Sequence, residues 1–438
     1  MRYLFNFLPN KNYSFKKGLD AGKQISQVLL GQVSSQVIGF AISFLVVRNL
    51  SKPDYSIFTV LMSIQGMMNV LSSSGITIGF QKIAGTVWSD NAALSRLVKT
   101  ARYIRTKVFF IALVFTNCYG YFIFYKQGVP FLESFFYLIA ISFAVFPDVQ
   151  KSFTRIILLL KKRIGAVQIT EFIAQVIRLI IIVGCITFLR KYFDIKVVLG
   201  ASIIAAWVAN IYINKRSEDF TDVRDVSVNE EYKSTLIEYM KLNWHNAMFY
   251  TFKGQISIFL IGVYGSGENL ASLGAITRYS MVFTIVSSLI VSIVIPAFAR
   301  QQNKDKLIRF YFMAVIGFIV FALFTLLLAY VLDDFLLSIL GQGYRGYNTE
   351  LLLVFVSGLI GVLTGLLQGL NYSKGWMKFN TYLSIPLDVL TLILGLVLFD
   401  ITSIKGVLCM SILTSSIGVL LIVANSIHGF RSLKLNVT

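Results

Sequence analysis

Twelve runs of mostly apolar residues, each about 20 residues long, punctuate the chain, and that length matches the 30 Å or so of hydrocarbon an α-helix must cross in a bilayer. They fall near 27–47, 54–81, 107–125, 132–150, 166–189, 195–213, 241–263, 268–299, 309–331, 349–371, 378–398 and 403–425. Backbone N–H and C=O groups at that depth find no water, so each run must satisfy its own hydrogen bonds as a helix. Composition agrees: 56% of the residues are apolar and 14% are charged, against about 25% charged in soluble domains. Too few polar side chains remain to cover a water-facing surface. The first run begins near Gln27 and has no small-residue cleavage site after it, so it reads as a span and the N-terminus as retained. The predicted fold class is an all-α polytopic membrane protein of about twelve transmembrane helices.

Lys and Arg beside short loops stay in the cytoplasm, and this sets orientation. With the N-terminus inside, the cytoplasmic segments carry 29 basic residues and the outer ones 8. Both termini are therefore expected in the cytoplasm. The formal charge of +19 is read as this orientation signal and not as a nucleic-acid surface. One basic run, Arg96, Lys99, Arg102, Arg105 and Lys107, lies on a segment expected to be helical, with anionic phospholipid as its partner. The outer loops are short, the longest near 333–348, so no outer domain exists to house catalysis. Cys118, Cys185 and Cys409 lack C-x-x-C spacing, and His245 and His428 are far apart, so neither a disulfide framework nor a zinc site is indicated.

The largest polar stretch, 214–240, carries charges of both signs and follows the sixth run. It divides the chain into an N-terminal six-helix lobe (1–213), a cytoplasmic linker (214–240) and a C-terminal six-helix lobe (241–438). Shifting the sequence by about 212 residues brings Leu160, Lys161, Lys162 and Arg163 near Tyr372, Ser373, Lys374 and Gly375. Together with the similar order of spans, this predicts a parallel internal repeat, an arrangement in which transporters bind substrate between halves.

Three basic residues belong to no loop: Arg178, Lys253 and Arg278. At 1.5 Å per helical residue each lies roughly 15–18 Å deep, where a cation costs several kcal/mol and needs a wet cavity or a partner. A structural ion pair is one reading, because Glu171 lies seven residues before Arg178 with Gln175 between them. Only Asp148 and Asp388 add carboxylates at similar depth, so the three cations look undercompensated and call for an anionic ligand. Gln32, Gln36, Gly39 and Ser43 in the first run, and Asn246, Tyr250, Lys253 and Ser257 in the seventh, recur at helical spacing and predict a wet interior. Helix packing through small and polar residues explains Gly39 and Ser43 equally well but explains Lys253 poorly. Pro147, Pro296, Pro386 and the Ser72–Gly75 stretch allow helices to bend. Asp388, two residues after Pro386, and Glu171 are the candidates for coupling to a proton or sodium gradient; no other cofactor is indicated. Asp148, Lys151 and Arg155 form one helical stripe at the cytoplasmic mouth, read first as an interfacial face and second as a place where Lys151 and Arg155 receive phosphate.

The stretch Val47, Arg48, Asn49, Leu50, Ser51, Lys52, Pro53, Asp54, Tyr55, Ser56, Ile57, Phe58 resembles the first turn of polysaccharide flippases, where a helix ends in Arg-x-Leu and a tight turn leads to Tyr-Gly-x-Tyr. Ser56 replaces the usual Gly and Phe58 the second Tyr. Ser73, Ser74, Gly75, Ile76, Gly79 and Phe80 fit loosely, and Gly265, Ser266, Gly267 and Leu270 to Tyr279 look like the corresponding turn of the second half. The resemblance implies the multidrug/oligosaccharidyl-lipid/polysaccharide (MOP) exporter superfamily and, within it, the O-antigen (Wzx-type) flippases, which usually have twelve spans where peptidoglycan-precursor flippases have fourteen. It further implies two lobes around a central cationic cavity, as in the MATE-like fold, in the bacterial inner membrane. The implied cargo is a polyprenyl-diphosphate-linked oligosaccharide for lipopolysaccharide or other polysaccharide synthesis. Arg178, Lys253 and Arg278 would neutralise its pyrophosphate, a proton or sodium gradient or the membrane potential would drive it, and a polymerase and a chain-length regulator would be partners. Two alternatives stand beside it. A drug extruder of the same fold would want an acidic or apolar cavity, and a membrane enzyme such as a polysaccharide polymerase would want a large outer loop with clustered catalytic groups.

Overall fold

The computed structural model describes residues 15–73, 75–224 and 226–432. Arg2, Lys11 and Lys434 of the orientation tally, Ser74 of the second run and Asp225 of the linker lie outside the described residues. Within them all regular structure is helical. The order is α1 (Phe15–Asn49), α2 (Lys52–Ser73), α3 (Ile76–Thr86), α4 (Asn91–Lys126), α5 (Phe131–Leu160), α6 (Ile164–Phe188) and α7 (Ile195–Ser217). The second half has α8 (Glu230–Tyr264), α9 (Gly267–Ile276), α10 (Met281–Leu289), α11 (Ile295–Ala299), α12 (Lys304–Val331), α13 (Asp333–Leu340), α14 (Asn348–Ser373), α15 (Asn380–Leu398) and α16 (Ile404–Ser432).

Each apolar run of the sequence has become helix. Among the described residues ten helical stretches are long and apolar enough to cross a membrane, α9 to α11 counting as one stretch from Gly267 to Ala299, and the chain is a multi-pass membrane protein. Two of the twelve runs fall short by that measure for different reasons. The apolar part of α15, Tyr382–Leu398, is short, whereas α8 has 35 residues but is interrupted by Asn243, His245, Asn246 and Lys253. The second run is broken: α2 stops at Ser73, and α3 starts after Gly75 at φ +74°. A Cβ there would lie 2.3 Å from the Tyr239 carbonyl oxygen of α8, so both the left-handed backbone and the close helix approach require glycine.

The expected linker 214–240 is shorter in the structure. α7 continues to Ser217 and α8 begins at Glu230, capped by the Asn229 side chain, which accepts from the Tyr232 N–H. Leu236, Ile237, Met240 and Trp244 pack with Ile76, Phe80 and Phe153 in an apolar cluster. Their spacing is that of one helix face, which the surrounding charges obscured in the sequence.

The two halves repeat one another at a conspicuous point. Lys161 ends α5 and Lys374 ends α14, and the next residue in each case is left-handed: Lys162 at φ 58° and Gly375 at φ 72°. α1 and α8 thus open the two halves, and α6 and α15 follow the two matching turns. The turns α1–α2, α4–α5, α6–α7 and α8–α9 lie at the end poor in basic residues, called the low-charge end below; the other is the basic end.

Candidate functional site

The halves are joined at the low-charge end. α2 runs against α9 so closely that Gly274 leaves no room for a Cβ, which would sit 2.0 Å from Thr59 Oγ1. Lys52 at the start of α2 pairs with Glu268, its ammonium lying 5.9 Å from the centroid of the Tyr344 ring. Phe40 and Phe44 of α1 close on Tyr279, with ring centroids 6.3 and 5.1 Å from it. The Tyr279 hydroxyl in turn donates to the Leu336 carbonyl at 2.6 Å. Apolar contact, one ion pair and a backbone approach that only glycine permits hold this seam together.

Beneath it lie two cations, one from each half. Arg278 belongs to a 3-10 turn, Thr277–Ser280, that interrupts the eighth span between α9 and α10. Its Nε donates to the Tyr55 hydroxyl at 3.0 Å, and its guanidinium lies 5.3 Å from the centroid of the Phe58 ring. The Tyr55 hydroxyl donates to the Gly274 carbonyl at 3.4 Å. Because Tyr55 is in the first turn of α2, the guanidinium leans from the mid-membrane depth of its Cα toward the low-charge end, the direction in which α9 side chains tilt.

Arg178 comes from the middle of α6. Its Nε–H is buried without a hydrogen-bond partner, as are the Oε1 atoms of Gln175, one turn earlier, and of Gln36 on α1. α1 approaches α6 here through Gly39, where a Cβ would lie 3.5 Å from Gln175 Nε2. Arg178 and Arg278 are within electrostatic reach of one another. Among the described residues neither forms an ion pair. Asp148 is the carboxylate that reaches Arg178 electrostatically, but it is engaged by Lys151 at 2.8 Å. Two cations from different halves, neither with an ion-pair partner among the described residues and one with a buried Nε–H unused, form a candidate site for an anion.

Other candidates fall elsewhere. Lys253 was expected to be unmatched, but it meets Asp388 of α15 at 2.5 Å. The pair borders a cavity of about 350 Å³ inside the second half, lined also by Tyr250, Gln368, Asn380 and Ser384. The two residues are 135 positions apart, so helical periodicity could place each on a face but not bring the faces together. Glu171 does not pair with Arg178. Two helical turns keep them about 11 Å apart along the axis, and Glu171 instead meets Lys151 at 3.8 Å and Arg155 at 3.9 Å on α5. Lys151 and Arg155 thus form an interfacial cluster with Asp148 and Glu171.

The basic run on α4 is not one surface stripe either. Arg102 donates to Thr154 Oγ1 and Asn214 Oδ1, both at 2.7 Å. Arg105, only 4% exposed, donates to the Ser152 hydroxyl. Both turn inward, because hydroxyl and amide groups on α5 and α7 receive them. Sequence reasoning also missed Tyr55 and Phe58 as the residues that hold Arg278. The signal was present, since they stand at the two aromatic positions of the flippase-like turn.

No family model matches the chain, and no curated protein matches it. Solved structures do. An inward-facing multidrug resistance MATE family transporter of the MOP superfamily aligns with a TM-score of 0.70 at 10% identity, over 92% of this chain and 96% of that one. The lipid II flippase MurJ in an inward closed conformation gives 0.66 at 11% identity, over 92% and 89%. The eukaryotic MATE transporter AtDTX14 gives 0.59 at 12% identity, over 94% and 98%. The all-helical architecture of the described residues is therefore built on the fold shared by MATE transporters and MurJ.

Proposed function

We propose that this chain is a flippase that moves a polyprenyl-diphosphate-linked oligosaccharide, an O-antigen or other polysaccharide repeat unit, from the cytoplasmic to the outer leaflet of the bacterial inner membrane by alternating access. The observation that carries this reading is the Arg178–Arg278 pair: one partly buried cation from each half, neither with a paired carboxylate among the described residues, and Arg178 with a buried Nε–H left unused. A diphosphate supplies about two negative charges, and guanidinium forks bind its oxygens bidentately. The sugar head occupies the niche while the prenyl tail stays in lipid. The basic end faces the cytoplasm, following the distribution of Lys and Arg, with the exposed Arg96 and Lys107 toward anionic phospholipid, while Lys99 donates to the Val223 carbonyl at 3.3 Å.

Coupling belongs to the Lys253–Asp388 pair, the buried acid that borders a polar cavity; protonation of Asp388 or its capture of sodium would release Lys253. Glu171 lies 3.8 Å from Lys151 and 3.9 Å from Arg155 and is left to that interfacial cluster in this reading. A polymerase and a chain-length regulator act on the exported unit as partners.

Arg178→Ala and Arg278→Ala should each abolish surface polysaccharide while the amount of folded protein in the membrane is unchanged. Normal export by both variants overturns the reading. The second reading, drug extrusion, is favoured by the fold likeness to a multidrug transporter. A cationic niche repels the lipophilic cations typical of dye assays. Efflux of such a dye from cells lacking other pumps, lost in Arg278→Ala, would establish it in place of lipid flipping.

A further inference from the structure

Resting on the anion-site reading, we propose that Tyr55 and Phe58 are positioning residues that set Arg278 in the binding site only while the halves are joined at the low-charge end. Separation of the halves there then takes the site apart and frees the anion on that side.

The argument begins with the lobe from which each group comes. Tyr55 and Phe58 are on α2 in the first half, 0% and 3% exposed, whereas Arg278 is carried by the second. The Tyr55 hydroxyl is doubly engaged across the seam, accepting from Arg278 Nε at 3.0 Å and donating to the Gly274 carbonyl at 3.4 Å. The Phe58 ring lies one turn further on, 5.3 Å from the guanidinium carbon. A guanidinium has five N–H donors in a planar fork. Committing Nε to a neutral phenol and one face to an aromatic ring fixes the plane and leaves the two terminal nitrogens for the two oxygens of a phosphate. A carboxylate in the place of Tyr55 would have cancelled the charge; a phenol orients it and leaves it intact.

Arg178 is in the first half with Tyr55 and Phe58. When the halves part, Arg278 leaves its cradle and its companion cation in the same movement. The ligand then has unequal affinity for the joined and parted states, which is the condition for binding to shift a conformational equilibrium. The two aromatic positions of the turn from Tyr55 to Phe58 thereby acquire a physical role.

The test uses the full chain in lipid nanodiscs with geranylgeranyl diphosphate as the probe and geranylgeraniol as the uncharged control. Tyr55→Phe, which keeps the ring and removes the hydroxyl, is expected to weaken diphosphate binding about tenfold without changing control binding or thermal stability. In an Arg278→Ala background the same change should cost nothing further. Phe58→Leu should weaken binding in the same Arg278-dependent way, and Phe58→Tyr should preserve it. Diphosphate binding by Tyr55→Phe at the wild-type level, while Arg278→Ala binds poorly, overturns the cradle and leaves the anion site standing. An additive loss in Tyr55→Phe/Arg278→Ala also overturns it, since Tyr55 would then act independently of Arg278. Wild-type binding by both Arg178→Ala and Arg278→Ala overturns the anion site and the cradle with it. Should Tyr55→Phe fail to fold, Phe58→Leu alone and with Arg278→Ala decides the same question.

Discussion

Replacing Gly274 with alanine should pry the two halves apart at the low-charge end. The added Cβ would lie 2.0 Å from Thr59 Oγ1, 2.6 Å from its Cγ2 and 2.9 Å from its Cβ. Carbon contacts are comfortable from about 3.5 Å, so the two backbones must recoil by roughly 1 Å or more. Thr59 has little freedom to yield. It is 2% exposed, and its hydroxyl is bonded to the Tyr55 carbonyl at 2.8 Å. Its Cβ, which no rotamer change can move, is itself too close. Overpacking of this kind costs about 1–3 kcal/mol. The crowded surfaces belong to different halves, so separating them relieves the strain and the cost falls on the joined state alone. At about 1.4 kcal/mol per tenfold, the balance between joined and parted states moves by roughly 5- to 150-fold. Spin labels at Glu133 and Lys405, exposed positions near this end of the two halves, read the distance once Cys118, Cys185 and Cys409 are replaced by serine. Gly274→Ala should populate a longer distance, and Thr59→Ala added to it should return most of that population. An unchanged distribution in Gly274→Ala refutes the reasoning, because the seam would then be shown to accommodate a methyl group without opening.

Two further outcomes follow from single contacts. Asp388→Asn leaves the Lys253 ammonium without its counter-charge in a site where the lysine side chain is 22% exposed, and a loss of about 3 kcal/mol is expected in chemical unfolding; Lys253→Met combined with Asp388→Leu should recover much of it. Lys162→Gly replaces an exposed residue at φ 58° with one that adopts that backbone freely, so it should stabilise by about 1 kcal/mol and raise the midpoint of thermal unfolding; a lower midpoint would show that the lysine side chain contributes more than its backbone costs.

The spans were readable because membrane depth dictates helix length, and that rule does not depend on which helix neighbours which. The broken second run was readable only in part: Ser72 to Gly75 signalled a bend, but the carbonyl of Tyr239 that makes Gly75 necessary comes from α8. Charge pairing was least legible. Glu171 and Arg178 share a face on one helix, yet Lys151 and Arg155 on α5 approach Glu171, because the neighbouring helix is nearer than two turns of the same one. Arg102 and Arg105 were expected at a lipid surface because cations usually are. Thr154, Asn214 and Ser152 admit them to the interior, and uncharged acceptors leave no mark in a count of acids and bases. Arg278 was identifiable as a cation at membrane depth, while its holder was hidden in a motif whose letters carried no stated mechanism.

The internal repeat makes the difference between the halves informative. In the first, α1 meets α6 through Gly39 and Gln175, and Arg178 lies one turn beyond with no counter-ion. In the second, the corresponding helices α8 and α15 meet through Lys253 and Asp388. The same helix pair thus carries polar groups in both halves, an arginine without an ion pair in one and a neutral, internally paired couple beside a cavity in the other. A neutral pair contributes little field to a passing anion, whereas an unpaired arginine contributes all of its charge. On the proposed reading the asymmetry would separate two tasks that a symmetric protein would mix: holding an anion at the seam through Arg178 and Arg278, and coupling away from it at the Lys253–Asp388 pair.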